Sequence, residues 1–149
     1  MLSEITNIEK YGNYKEQMGR LKKAIDNHFL LEALFIEYAI MEDRCESLLR
    51  HSNAFNPEKH KTITAKLNRI ADLKRNKKAL IKKYISDELI EEIKVWKEER
   101  NKLIHALMKQ KLTGEELVQL AAQGQQIAKI LCSKTTSYKR ALEREKKKG

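Results

Sequence analysis

Arg100, Asn101 and His105 stand close together in the stretch KEERNKLIHALMKQ, residues 97–110. The apolar residues around them have helical spacing: Leu89, Ile93, Trp96, Leu103 and Leu107 share one face. The step from Trp96 to Leu103 passes over a position that the pattern wants apolar, and Arg100 holds it. A guanidinium in a buried stripe needs a partner or a phosphate. Asn101 and His105 are four residues apart, so on a helix they share a face and can hydrogen-bond or orient one another. Arg100 and His105 point about 140° apart on a straight helix. Meeting at one atom therefore takes a long arginine reach, a kink, or a second copy of the chain across a two-fold axis. An Arg five positions before some His arises by chance about one time in five in such a chain, and an Asn directly after the Arg lowers this to about one in a hundred. The other histidines, His28, His51 and His60, are preceded at that distance by Lys23, Glu46 and Phe55.

The elements that must position these residues read as helices. Five Gly and one Pro in 149 residues argue against a many-turned β architecture. Residues 1–15 read as a polar lead-in with a break at Gly12-Asn13. A long helix is expected from about Glu16 to Arg50, because Ile25, Phe29, Ala33, Ile36 and Ile40 recur at steps of three and four. Leu34, Tyr38, Met41, Cys45 and Leu48 widen this stripe, as in the central helix of a bundle. Asn53, Asn56 and Pro57 mark a turn, and a second helix is expected from about Glu58, carrying Ile63, Leu67, Ile70 and Leu73. KKALIKKYI continues it or forms a separate turn. Ser86 caps the next helix, with Asp87 and Glu88 in its first turn. Thr113 and Glu116 form a capping box for the last helix, where Gly124 permits close approach by a neighbour. The pattern predicts an all-α, antiparallel four- to five-helix bundle over residues 16–140, followed by a basic tail, 141–149, that frays.

The formal net charge is +10, and it is unevenly placed. Residues 59–83 carry ten basic residues against Asp72 alone, and residues 134–149 carry seven against Glu143 and Glu145. Such clustering favours contact with a phosphate backbone over a merely solvated face. The candidate nucleic-acid-binding residues are Lys66, Arg69, Lys74, Arg75, Lys77, Lys78, Lys82 and Lys83. Tyr84 and Tyr138 are the only aromatics in or beside these segments, so stacking recognition of single-stranded bases is not supported. Cys45 and Cys132 lack the number and spacing of a zinc site and read as reduced, packed thiols. No carboxylate or His/Cys cluster has metal spacing, so no metal or cofactor is expected. The first residues contain no apolar run of the secretory kind. HFLLEALFIEYAIM, interrupted by Glu32 and Glu37, is shorter than the roughly 20 residues of a membrane span. A cytoplasmic protein without membrane contact is the expectation.

RNKLIH, residues 100–105, resembles the R-x4-H motif of HEPN domains, in which a polar residue, commonly Asn, follows the Arg. The layout is similar too: an all-α bundle, a long apolar-rich early helix and the motif in a later helix. HEPN proteins commonly dimerise with their motifs facing each other, and many are metal-independent endoribonucleases of toxin–antitoxin and phage-defence systems. The resemblance implies that His105 serves as general base or acid for attack of a ribose 2′-hydroxyl on the adjacent phosphate, since imidazole titrates near working pH. It implies that Arg100 holds the phosphate and stabilises the pentacoordinate transition state, and that Asn101 orients the His or the phosphate. The expected products are a 2′,3′-cyclic phosphate and a 5′-hydroxyl. The expected partners are RNA, a second copy of the chain and an antitoxin protein. In one subgroup, paired with nucleotidyltransferase antitoxins, a Tyr stands two residues after the His; here that position is Leu107.

Two other readings stay open. In one, the chain is a non-catalytic HEPN-like module that binds nucleic acid or protein, with Arg100 and His105 as interface residues. In the other, it is a structural bundle whose lysines only keep it in solution.

Overall fold

Met18, Leu21 and Ile25, at helical steps of three and four, line the inner side of a first helix, α1 (Asn7–Asp26). The computed structural model describes residues 7–109 and 114–148, with side chains from residue 14 on. All regular structure among them is helical. After α1 come α2 (Leu30–His51), α3 (Ile63–Lys74), a 3-10 turn (Leu80–Lys83), α4 (Asp87–Met108) and α5 (Gly114–Lys148). The all-α bundle read from the sequence is thus present. α2 packs on each of the other four α-helices, as its wide apolar stripe predicts. α5 runs along α2 and also touches α1, α4 and the 3-10 turn.

The long early helix expected from Glu16 to Arg50 is two helices. α1 stops at Asp26, although the apolar spacing continues through Phe29. His28 takes a left-handed φ of 59°, the Phe29 N–H donates to Ala24 O at 2.8 Å, and the His28 N–H donates to Ile25 O at 3.1 Å. This pair of bonds is a Schellman ending, with His in the place that Gly usually fills. The polypeptide reverses there, and Phe29 is left 59% exposed at the corner. The same ending closes α2: Asn53 has φ 55°, and the Ala54 and Asn53 N–H groups donate to Leu49 O and Arg50 O.

Other boundaries also shift. Gly12 and Asn13 lie within α1 and do not break it. The second expected helix begins at Ile63, not Glu58. Asn56 first folds residues 56–60 into a turn, its Oδ1 accepting from the Glu58 and Lys59 N–H groups, and Thr62 then caps α3 by accepting from the Ala65 N–H. Ser86 caps α4 as read, accepting from the Leu89 N–H at 3.0 Å. Thr113 lies outside the described residues. The basic tail is helical to Lys148.

The core joins Leu34, Met41, Leu48 and Leu49 of α2 to Ile63, Leu67 and Ile70 of α3, Ile93 and Trp96 of α4, and Ile127 and Leu131 of α5. Trp96 is fully buried, and its indole N–H donates to Leu120 O at 3.1 Å. Cys45 and Cys132 are free thiols; burial pushes Cys45 up to about 12. Among the described residues no helix is long and apolar enough to cross a membrane.

Candidate functional site

Arg100 falls in the buried stripe of α4, 9% exposed. Its guanidinium lies 4.3 Å from the Tyr38 ring centroid and 5.3 Å from that of Phe35, both on α2. This aromatic bed offers the cation π-faces in place of water. Nη1 donates to Asn101 Oδ1 at 3.3 Å, and Nε is buried with no acceptor. No carboxylate among the described residues comes within ion-pair distance. Burial pulls the guanidinium below its ordinary range, and Tyr38 opposes this. An arginine remains charged under any ordinary condition. The chain therefore holds a cation, largely out of water, that no carboxylate among the described residues neutralises.

His105 is exposed, on the last turn of α4. Asn101 is half-buried, one turn before it and in contact with Arg100. Arg100 and Asn101 are thus brought together. The inward guanidinium and the outward imidazole are not, as about 140° of helix rotation requires.

The eight basic candidates divide. Lys66 is buried, with its ammonium 3.3 Å from Glu42 and 3.6 Å from Glu46 of α2, so it is not presented to solvent. The Lys74 side chain is also buried and pairs with Asp87 at 2.6 Å; that hydrogen bond and charge hold the Asp87 carboxyl below the usual carboxylate range. Arg69 is half-buried, its Nε 3.5 Å from Ala54 O. Arg75, Lys77, Lys78, Lys82 and Lys83 are exposed around the corner between α3 and α4. Arg75 there pairs with Asp72 at 3.2 Å. This corner lies at the start of α4, about 20 Å along the helix from Arg100 at 1.5 Å per residue. The basic C-terminal half of α5 reaches the same end, where Tyr138 packs on Tyr84 with ring centroids 6.1 Å apart. The chain is therefore polarised, with most exposed positive charge at one end and the Arg100–His105 pair towards the other.

That other end also bears exposed apolar side chains. Phe35 is 57% and Met108 81% exposed, accompanied by Phe29, Leu107 and Val118. Among the described residues no three His, Cys, Asp or Glu side chains are grouped so as to hold a metal ion.

Sequence reading missed two buried ionisable side chains on α2. Glu37 is fully buried, and both its carboxyl oxygens lack hydrogen-bond partners; burial pushes it up to about 9. Its signal was available, since it continues the steps from Ala33 and Leu34 to Ile40 and Met41. Arg44 is 7% exposed and packs over the Tyr14 ring at 3.6 Å. Compared with protein-family models, with curated proteins and with solved structures, the chain matches none.

Proposed function

We propose that this chain is a metal-independent endoribonuclease of the HEPN type, acting as a homodimer in a toxin–antitoxin or phage-defence setting. The observation that carries this reading is Arg100: a mostly buried guanidinium with no carboxylate partner among the described residues, five residues before an exposed histidine. A cation left unneutralised inside its own protomer is suited to an anion from outside. A scissile phosphate is such an anion. In one copy the imidazole and guanidinium diverge. Two copies related by a two-fold axis bring His105 of each protomer towards Arg100 of the other. The exposed Phe35, Leu107 and Met108 beside the site support burial of this face against a second copy.

In that arrangement His105 takes the proton of a ribose 2′-hydroxyl, and the oxygen attacks the adjacent phosphorus. Arg100 neutralises charge on the pentacoordinate phosphorane, Asn101 steadies the guanidinium, and the 5′-oxygen leaves with a proton taken from water. The exposed lysines at the far end attract RNA without reading its sequence.

The test is cleavage of labelled single-stranded RNA in EDTA. The native chain should leave 2′,3′-cyclic phosphate ends, and His105→Ala should lower the rate by about 10²–10⁴ with helicity unchanged. Equal cleavage by the variant excludes the reading.

One observation favours the second reading, a non-catalytic module that binds nucleic acid or protein. The aromatic bed under Arg100 holds the guanidinium in place within the protomer. If that is its whole role, the protein binds RNA in a salt-sensitive way and cleaves none.

A further inference from the structure

A cavity of about 390 Å³ opens between α1, α2 and α5. Arg44 lines it and lies nine residues beyond Phe35 on α2, which at 100° per residue puts it on the opposite side of that helix from Arg100's aromatic bed. The lining joins apolar surface from Met18 and Cys132 to a positively charged polar set: Lys15 from α1, Arg44 from α2, and Ser133, Ser137 and Arg140 from α5. Ser133, Ser137 and Arg140 recur at steps of four and three, so they form one polar stripe along α5.

Arg44 is the centre of this site. Its side chain is 9% exposed, and Nη2 donates to the Tyr14 hydroxyl and to Asp43 Oδ2. Nε is buried without an acceptor, and Nη1 has none among the described residues. Lys15 and Arg140 are exposed and make no ion pair there, and neither serine hydroxyl is engaged. Asp43 is thus one carboxylate against three cations. The Thr136 hydroxyl donates to Cys132 O and so faces its own helix.

A carboxylate ligand has two oxygens and one charge, and one arginine satisfies it. A phosphoryl group has three oxygens and up to two charges, and is satisfied by several N–H and O–H donors from different elements. The cavity is larger than phosphate alone and falls within the range of small-ligand sites. We infer that the cavity between α1, α2 and α5 binds a phosphoryl group, carried by a mononucleotide-sized monoester or present as free phosphate, through Arg44, Arg140 and Lys15. Ser133 and Ser137 donate to its remaining oxygens. The site does not rest on the nuclease reading and stands if that reading fails.

Equilibrium dialysis of the full chain at about 150 mM salt with radiolabelled adenosine 5′-monophosphate, inorganic phosphate and adenosine tests it. Both phosphate-bearing probes should bind and adenosine should not. Tighter binding of the nucleotide assigns the rest of the cavity to the nucleoside; equal binding assigns the site to the phosphoryl group alone. Arg140→Glu should weaken both at least tenfold. Arg44→Lys, which keeps the charge and loses the planar fork, should weaken them severalfold. The charge-matched control Lys109→Glu, exposed just after α4 and away from the cavity, should leave them unchanged. No retention of either probe, retention unaltered in Arg140→Glu, or an equal loss in Lys109→Glu overturns the inference.

Discussion

A carboxyl group enclosed without a hydrogen-bond partner is held in its neutral form, because ionising it would strand a charge away from water. Glu37 is in that position, and its folded value of about 9 stands well above the ordinary 4.5. Below about pH 4.5 the group is protonated whether the chain is folded or not. Between there and about 9 only the folded chain keeps the proton, so stability falls as pH rises, by up to about 1.4 kcal/mol per pH unit. Glu37→Gln removes this slope. Urea unfolding should find the two proteins alike near pH 4.5 and the variant clearly the more stable near pH 8; parallel curves would contradict the neutral assignment. Arg100 poses the converse question. Replacing a buried unpaired charge by an apolar side chain of similar length is often neutral or stabilising. Arg100→Met should therefore unfold within about 1 kcal/mol of the native chain while losing RNA cleavage. A loss of more than about 3 kcal/mol would make the guanidinium a packing residue and favour the non-catalytic reading.

At the scale of elements, α2, α4 and α5 meet where Gly124 faces Glu37 and Trp96. A Cβ built on Gly124 would lie 2.8 Å from Trp96 Nε1 and closer still to a Glu37 carboxyl oxygen. Gly124→Ala should cost about 1–3 kcal/mol, read as a lower urea midpoint, although alanine is the better helix former. An unchanged or higher midpoint would show that α5 shifts freely against its neighbours. This contact was legible in the sequence as a lone glycine in an apolar helix. So were the Ser86 cap, the turn around Pro57 and the intrusion of Arg100 into its stripe, because each is set by a few adjacent residues. The reversal at His28 was not. No glycine marks it, and Phe29 continues the apolar period although it ends exposed. Arg44 and its cavity were equally hidden, since they depend on which faces of three separate helices come together. The basic run misled in part: composition counts Lys66 and Lys74 with their neighbours, whereas helix phase turns them inward to acidic partners.

The whole molecule separates two properties by its length. Exposed lysines gather where α3, the 3-10 turn and the end of α5 meet. The uncompensated arginine, the exposed histidine and the bare apolar side chains sit towards the opposite end. On the proposed reading the chain would recruit RNA with one end and cut with the other, and would need a second copy to bring imidazole to guanidinium. Mixing two inactive chains tests that need most directly. Arg100→Ala and His105→Ala are each assayed alone for RNA cleavage in EDTA, then unfolded together and refolded in equal amounts. A dimeric site that joins one protomer's histidine to the other's arginine predicts that each alone falls by about 10² or more and that the mixture regains a substantial part of the native rate. A mixture as inactive as its parents, beside a native chain that cleaves, would contradict a site shared between protomers.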